Sequence, residues 1–207
     1  MPEITSSFTN LFNFLGLMGP LLMAFFLIIL SLFNLDLKGI VYLSGLLCAS
    51  IINLIFMNQL QSRIPDNAKQ ICRLWNLNFF GSSWNDFNSP SLGSMFMGFT
   101  FIYLYLPMHA HNQINYAVIA TILVLFGLNA TVNYNNNCNS IESIFLGVLS
   151  GVLLGISWYT IFHNAGYDGL LFYPELQSNN VICKKPAKQT FKCSVYKNGE
   201  MISNGIV

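Results

Sequence analysis

The sequence predicts an all-α membrane protein of about five transmembrane helices, followed by a short C-terminal β-hairpin tail. Two observations carry that prediction. Asp, Glu, Lys and Arg are absent from Ile4–Leu35, Gly39–Ser62, Phe87–Ile141 and Ser143–Tyr167. A bilayer core about 30 Å thick is crossed by roughly 20 apolar residues, so each stretch can hold a span and the longest can hold two. Composition agrees: 54% of residues are hydrophobic, 8% are charged and 18 are Phe, outside the range of soluble globular domains.

The elements follow in order through a membrane domain of residues 1–165. The first span is about Leu11–Phe33, and Gly19-Pro20 is expected to kink it, which membrane helices tolerate when neighbours satisfy the freed carbonyls. It is too long, and lacks the basic leading region and the cleavage site, to read as a removable signal peptide. Asp36 and Lys38 mark a tight turn, and the second span is about Gly39–Leu60, where Gly45 and Ala49 form a small-xxx-small face. Residues 61–91 form the longest polar connection, with Arg63, Lys69, Arg73, Trp75 and Trp84 suited to the headgroup region.

The third span is short, about Leu92–Met108, with Pro107 near its end and His109 and His111 in the turn beyond. The fourth is about Tyr116–Ala130, followed by an asparagine-rich turn at Asn133–Asn139. The fifth is about Ile141–His163. Gly147, Gly151 and Gly155 share one face of it, a ridge on which another backbone can approach closely.

Residues 166–207 are polar and basic. Alternating residues on either side of Asn198-Gly199 predict a hairpin over 191–203 with a type I′ turn. Such a hairpin is marginal alone and is expected to dock on a partner, with Lys184, Lys185, Lys188 and Lys192 as candidate contacts to protein or anionic lipid. Cys183 and Cys193 either pair, if the tail meets an oxidising compartment, or remain thiols. Five spans place the amino end, the long connection and the asparagine-rich turn on one side. The lysines of the tail favour a cytoplasmic tail. The sequon Asn129-Ala-Thr131 would then be lumenal but too close to the helix end for ready glycosylation.

Chemistry is sparse. The net charge of +1 gives no reason to invoke nucleic acid. His109 and His111 make a poor metal site, and no metal or cofactor is expected. No charged residue falls inside a predicted span except Glu142 in the first turn of the fifth, which disfavours a channel or transporter.

Two resemblances appear. Ser89-Pro90-Ser91-Leu92-Gly93-Ser94-Met95, opening a short helix, resembles the Pro-Ser-Gly-His-Ser signature of the type-2 phosphatidic acid phosphatase family. Thr131–Glu142 has the spacing of that family's third motif, and the likeness covers about residues 61–159. The resemblance implies a phosphatase-like helical core whose working positions are changed. Pro90, Ser91 and Ser94 are kept. Gly93 stands where the leaving-group histidine belongs, Cys138 where the nucleophile belongs, Glu142 at its orienting acid and Val132 at a phosphate-binding arginine. Lys69 and Arg73 are near the first motif with the wrong spacing. These positions are read as vestigial, with no catalytic residue. Separately, the tail resembles those of small multi-pass proteins of large nucleocytoplasmic DNA viruses. That likeness implies a structural anchoring protein of a virion's internal, endoplasmic-reticulum-derived membrane, its tail docking on a capsid-side partner. A lipid phosphate phosphatase with an atypical site is the alternative.

Overall fold

The structure, a computed structural model, describes residues 8–63, 68–73, 87–172, 192–197 and 200–206. Five helices make up the body: α1 (Phe8–Phe33), α2 (Lys38–Leu60), α3 (Leu92–Ala110), α4 (Tyr116–Asn135) and α5 (Ile141–Asn164). Short 3-10 turns occur at Gln70–Arg73 and Asp168–Leu170. Two strands, β1 (Lys192–Lys197) and β2 (Glu200–Ile206), pair antiparallel with a register shift between Val195 and Tyr196. Phe191 and the Asn198-Gly199 turn lie outside the described residues.

By length and composition α1, α2, α4 and α5 can each cross a membrane. The protein is therefore a multi-pass membrane protein built on four apolar helices. The third expected span, α3, is not one of these four, and it is the most enclosed of the five helices. It packs against all four other helices and buries Ser94, Met95, Met97, Gly98, Phe99, Thr100, Tyr103, Leu104, Pro107 and Met108. Protein rather than lipid surrounds most of it, so Thr100, Tyr103 and Pro107 are tolerated there. The outer helices carry the exposed apolar side chains, among them Phe25, Phe26, Leu47, Ile51, Val124, Phe145 and Leu153.

Lipid tails are as apolar as leucine, so close packing and hydrogen bonds hold membrane helices together. The tightest seam lies between α3 and α5, which run parallel. A Cβ at Gly147 would collide with the Ser91 carbonyl, at Gly151 with the Met95 carbonyl, and at Gly155 with the Ile102 side chain while lying 3.0 Å from the Phe99 carbonyl. Both helices advance four residues per contact, which keeps the ridge in one groove. Gly45 of α2 lies against the Trp158 indole, whose Nε1 donates to the Val41 carbonyl at 3.1 Å.

Two local features differ from the expected elements. The fourth helix continues five residues beyond Ala130, into the asparagine-rich segment. Asparagine is a poor helix former because its side chain competes for backbone groups. Here Asn133 Nδ2 donates to the Asn129 carbonyl and Asn136 Nδ2 to that of Val132, each at 2.8 Å, so the side chains support the last turn. Lys38, expected at the water boundary, is only 7% exposed. Its ammonium lies 3.9 Å from the Asp36 carboxylate, and Asp36 Oδ1 accepts the Lys38 N–H at 3.1 Å. Ser31 Oγ bonds Asp36 and accepts the Gly39 N–H at 2.8 Å, which closes the α1–α2 hairpin.

After α5 the chain turns through Asp168–Leu170 and inserts Leu171 and Phe172, 1% and 0% exposed, into the bundle. The folded body thus extends seven residues past the boundary expected at 165.

Candidate functional site

The candidate site is the end of the bundle where the first turns of α3 and α5 meet the last turn of α4. The chain enters it through Asn88, whose N–H donates to the Ser62 carbonyl at 2.9 Å, and a cis peptide bond joins Ser89 to Pro90. The entry strand is then held from several directions. Asn88 Nδ2 donates to the Cys138 carbonyl at 2.9 Å, Ser143 Oγ donates to the Asn88 carbonyl, and the Ser91 N–H donates to the Ser143 carbonyl at 3.0 Å. From α2, Asn53 Nδ2 reaches the Pro90 carbonyl at 3.2 Å, and Ser150 Oγ of α5 donates to Asn53 Oδ1 at 3.3 Å. Ser94 Oγ donates to Ser91 Oγ at 3.2 Å.

A second layer covers this one. Cys72, in the Gln70–Arg73 turn, forms a disulfide with Cys138 in the α4–α5 turn. Cys138 is 4% exposed and packs in a small cluster with Leu17, Val132, Ile71 and Cys72. The Lys69 N–H donates to the Asn136 carbonyl at 3.3 Å, and Asn136 Nδ2 reaches Asn13 Oδ1 of α1 at 3.1 Å. The Cys138 N–H donates to the Asn133 carbonyl at 2.8 Å, and Asn139 Nδ2 to Asn133 Oδ1 at 3.0 Å. All five helices and the 68–73 segment are stitched together here.

The positions singled out by the phosphatase resemblance come to different places. Pro90, Ser91, Ser94 and Cys138 lie within this network. Gly93 faces α4, where a Cβ would sit 3.1 Å from the Asn129 amide. Val132 turns toward α1 and fills the space above Gly16. Glu142 is exposed, one residue before the buried Ser143. Gly147, Gly151 and Gly155 form the seam with α3. For Arg73 the backbone alone is described, as it is for Lys192 and Cys193. Cys183, Lys184, Lys185 and Lys188 lie outside the described residues, as do Trp75 and Trp84.

The chemistry open to this arrangement follows from its groups. A sulfur held in a disulfide has no thiolate with which to attack phosphorus. The three histidines, His109, His111 and His163, all sit at the opposite end, on the last turns of α3 and α5 or just beyond. Among the described residues no three His, Cys, Asp or Glu side chains cluster. What the site holds is amides and hydroxyls, bonded to one another and to backbone between elements. The residues missed from sequence are Cys72 as the partner of Cys138, together with Asn53, Asn88, Asn133, Asn136 and Ser143. A signal was present for one of them: Asn53 is a polar residue deep in a charge-free span, where polar side chains are expensive unless paired. No family model, curated protein or solved structure matches the chain.

Proposed function

We propose that this chain is a non-catalytic anchoring protein of a bilayer, with α3 as its fifth crossing and the basic tail as the part that meets a protein partner. At 19 residues α3 is about 28 Å long at 1.5 Å per residue, enough to reach across the hydrocarbon when sheathed by four longer helices. One observation carries the reading: the buried polar groups at the disulfide end of the bundle are spent on joining elements. Cys138 is bonded to Cys72, the Asn88, Asn136 and Ser143 side chains bond one element to another, and Asn133 Oδ1 accepts from Asn139 in the α4–α5 turn. A catalytic or transport site instead keeps reactive or ionisable groups aimed at a space. The internal membrane of a large DNA virus particle is the setting that the tail's resemblance implies.

The test has two arms. Purified full-length protein in phosphatidate-containing liposomes should release no more phosphate than protein-free liposomes. Release that is lost in Glu142→Ala would replace the anchoring role with an enzymatic one. Lysine-directed cross-linking of intact native membranes should join Lys184, Lys185, Lys188 or Lys192 to a second protein. Cross-links confined to this chain would remove the docking role.

A further inference from the structure

We infer that the Cys72–Cys138 end of the bundle faces an oxidising compartment, where the chain is a substrate for thiol–disulfide exchange. The residues after Phe172 begin on the opposite, reducing side, with Cys183 and Cys193 as free thiols. The inference rests on α5 crossing the bilayer and is independent of the anchoring role.

The geometry is that of two chain ends on one helix. Cys138 lies three residues before the first residue of α5, and Phe172 follows the short turn after its last. At 24 residues α5 is about 36 Å long, so a crossing α5 separates these points by the full membrane. Cys72 belongs to the same end as Cys138, because its turn is bonded to the end of α4 through Lys69 and Asn136. The disulfide spans 66 residues of sequence and closes α3 and α4 into one loop. Such a bond forms and persists where the surroundings are oxidising and is rare where glutathione keeps thiols reduced.

The exchange balances as follows. The thiolate of one cysteine attacks the disulfide of an oxidant, either an oxidoreductase disulfide or oxidised glutathione, and expels one thiol. The second cysteine then displaces the other thiol from the mixed disulfide, so two electrons and two protons leave the chain with the reduced oxidant. Cys138 is nearly buried in the finished structure, so this exchange precedes the final closure of Ile71 and Cys72 over Leu17 and Val132. Carbohydrate would be a poor reporter of this side. Asn129 of the sequon is 1% exposed, and its Nδ2 is already bonded to the Gly16 carbonyl at 2.7 Å.

The experiment uses sealed membrane vesicles with the cytosolic face outward, containing full-length protein, and a membrane-impermeant polyethylene-glycol maleimide mapped by mass spectrometry. In intact vesicles without reductant, Cys183 and Cys193 should be modified. Cys72 and Cys138 should react only after both a reductant and dodecyl sulfate are added. In Cys72→Ser, Cys138 should react in dodecyl sulfate without any reductant, a readout that does not require the variant to fold. Modification of Cys72 and Cys138 in intact vesicles overturns the inference. So does silence of Cys183 and Cys193 until detergent or reductant is present.

Discussion

Asn129 of α4 donates its side-chain N–H to the backbone carbonyl of Gly16 in α1, at 2.7 Å. Gly16 is the residue four before Pro20, and α1 runs unbroken through that proline. Proline has no N–H, so the Gly16 carbonyl loses its helical donor. In hydrocarbon an unmet carbonyl has no water to turn to, and a neighbouring helix must supply the bond. Asn129 does so.

The pair gives a double-mutant test. Asn129→Leu should destabilise the protein by about 1 kcal/mol, the order found for interhelical hydrogen bonds in membranes. In a Pro20→Ala background the substituted residue regains a backbone N–H that can serve Gly16 within α1, and the cost of Asn129→Leu should fall toward zero. Unfolding in mixed micelles with increasing dodecyl sulfate measures both. Equal costs in the two backgrounds would mean that the bond serves no orphaned carbonyl.

The α3–α5 seam makes a second prediction. Gly151→Ala places a methyl against the Met95 carbonyl and the Phe99 N–H, both rigid helix backbone. The helices must separate, and overpacking of this kind costs about 1–3 kcal/mol. Gly127 of α4 is the control, because a Cβ there meets nothing within 4 Å. Gly127→Ala should be neutral, or stabilising by roughly 0.5–1 kcal/mol through helix propensity. Thermal unfolding in detergent would separate the two glycines, and similar melting temperatures would dismiss the seam.

The same residues show what could be read in advance. Charge-free stretches located every helix, because the bilayer imposes length and apolarity on each spanning segment separately. The glycine repeat on α5 was visible for the same reason: small residues at four-residue spacing lie on one face whatever the partner. Its partner was not visible, since the choice of α3 depends on how all five helices pack. Cys72 and Cys138, far apart in sequence, offered no local cue to their pairing. Asn133 and Asn136 pointed the wrong way, toward a turn, because their bonds to Asn129 and Val132 stabilise helix only once α4 is already formed. Leu171 and Phe172 looked like the start of a polar tail because their burial depends on a cleft that two other helices provide.

Two buried tyrosines separate a satisfied hydroxyl from an unsatisfied one. Tyr42 OH and Thr100 Oγ1 are 2.6 Å apart, whereas Tyr103 OH meets no hydrogen-bonding partner among the described residues. Both side chains are fully buried and pack ring to ring, with centroids 5.6 Å apart. Removing a bonded hydroxyl strands its partner, while removing an unbonded one relieves a desolvation cost. Tyr42→Phe should therefore lose about 1 kcal/mol, and Tyr103→Phe should be neutral or gain up to roughly 1–3 kcal/mol. Parallel unfolding titrations of the two variants decide the matter, and equal losses would show that Tyr103 has a partner after all.

Phe172 anchors the segment that leaves α5. Its ring sits edge-on to Tyr42 with centroids 6.1 Å apart and joins the core of Phe99, Tyr103 and Leu171. Beside the backbone bonds of this turn stands the side-chain contact of His163 Nδ1 with Asp168 Oδ1 at 2.7 Å, with both side chains nearly half exposed. Exposed pairs of that kind contribute little, so the buried ring is what keeps the turn in place. Phe172→Ala should cost about 3–5 kcal/mol if the cavity stays open, and less if neighbouring side chains collapse into it. Asp168→Asn should leave stability nearly unchanged. A chain ending at Phe172 should melt close to the full-length protein, whereas one ending at Ala165 should melt as low as Phe172→Ala or lower. If the two truncations melt together, Leu171 and Phe172 do not hold the α2–α3 side of the bundle, and the folded body ends where α5 does.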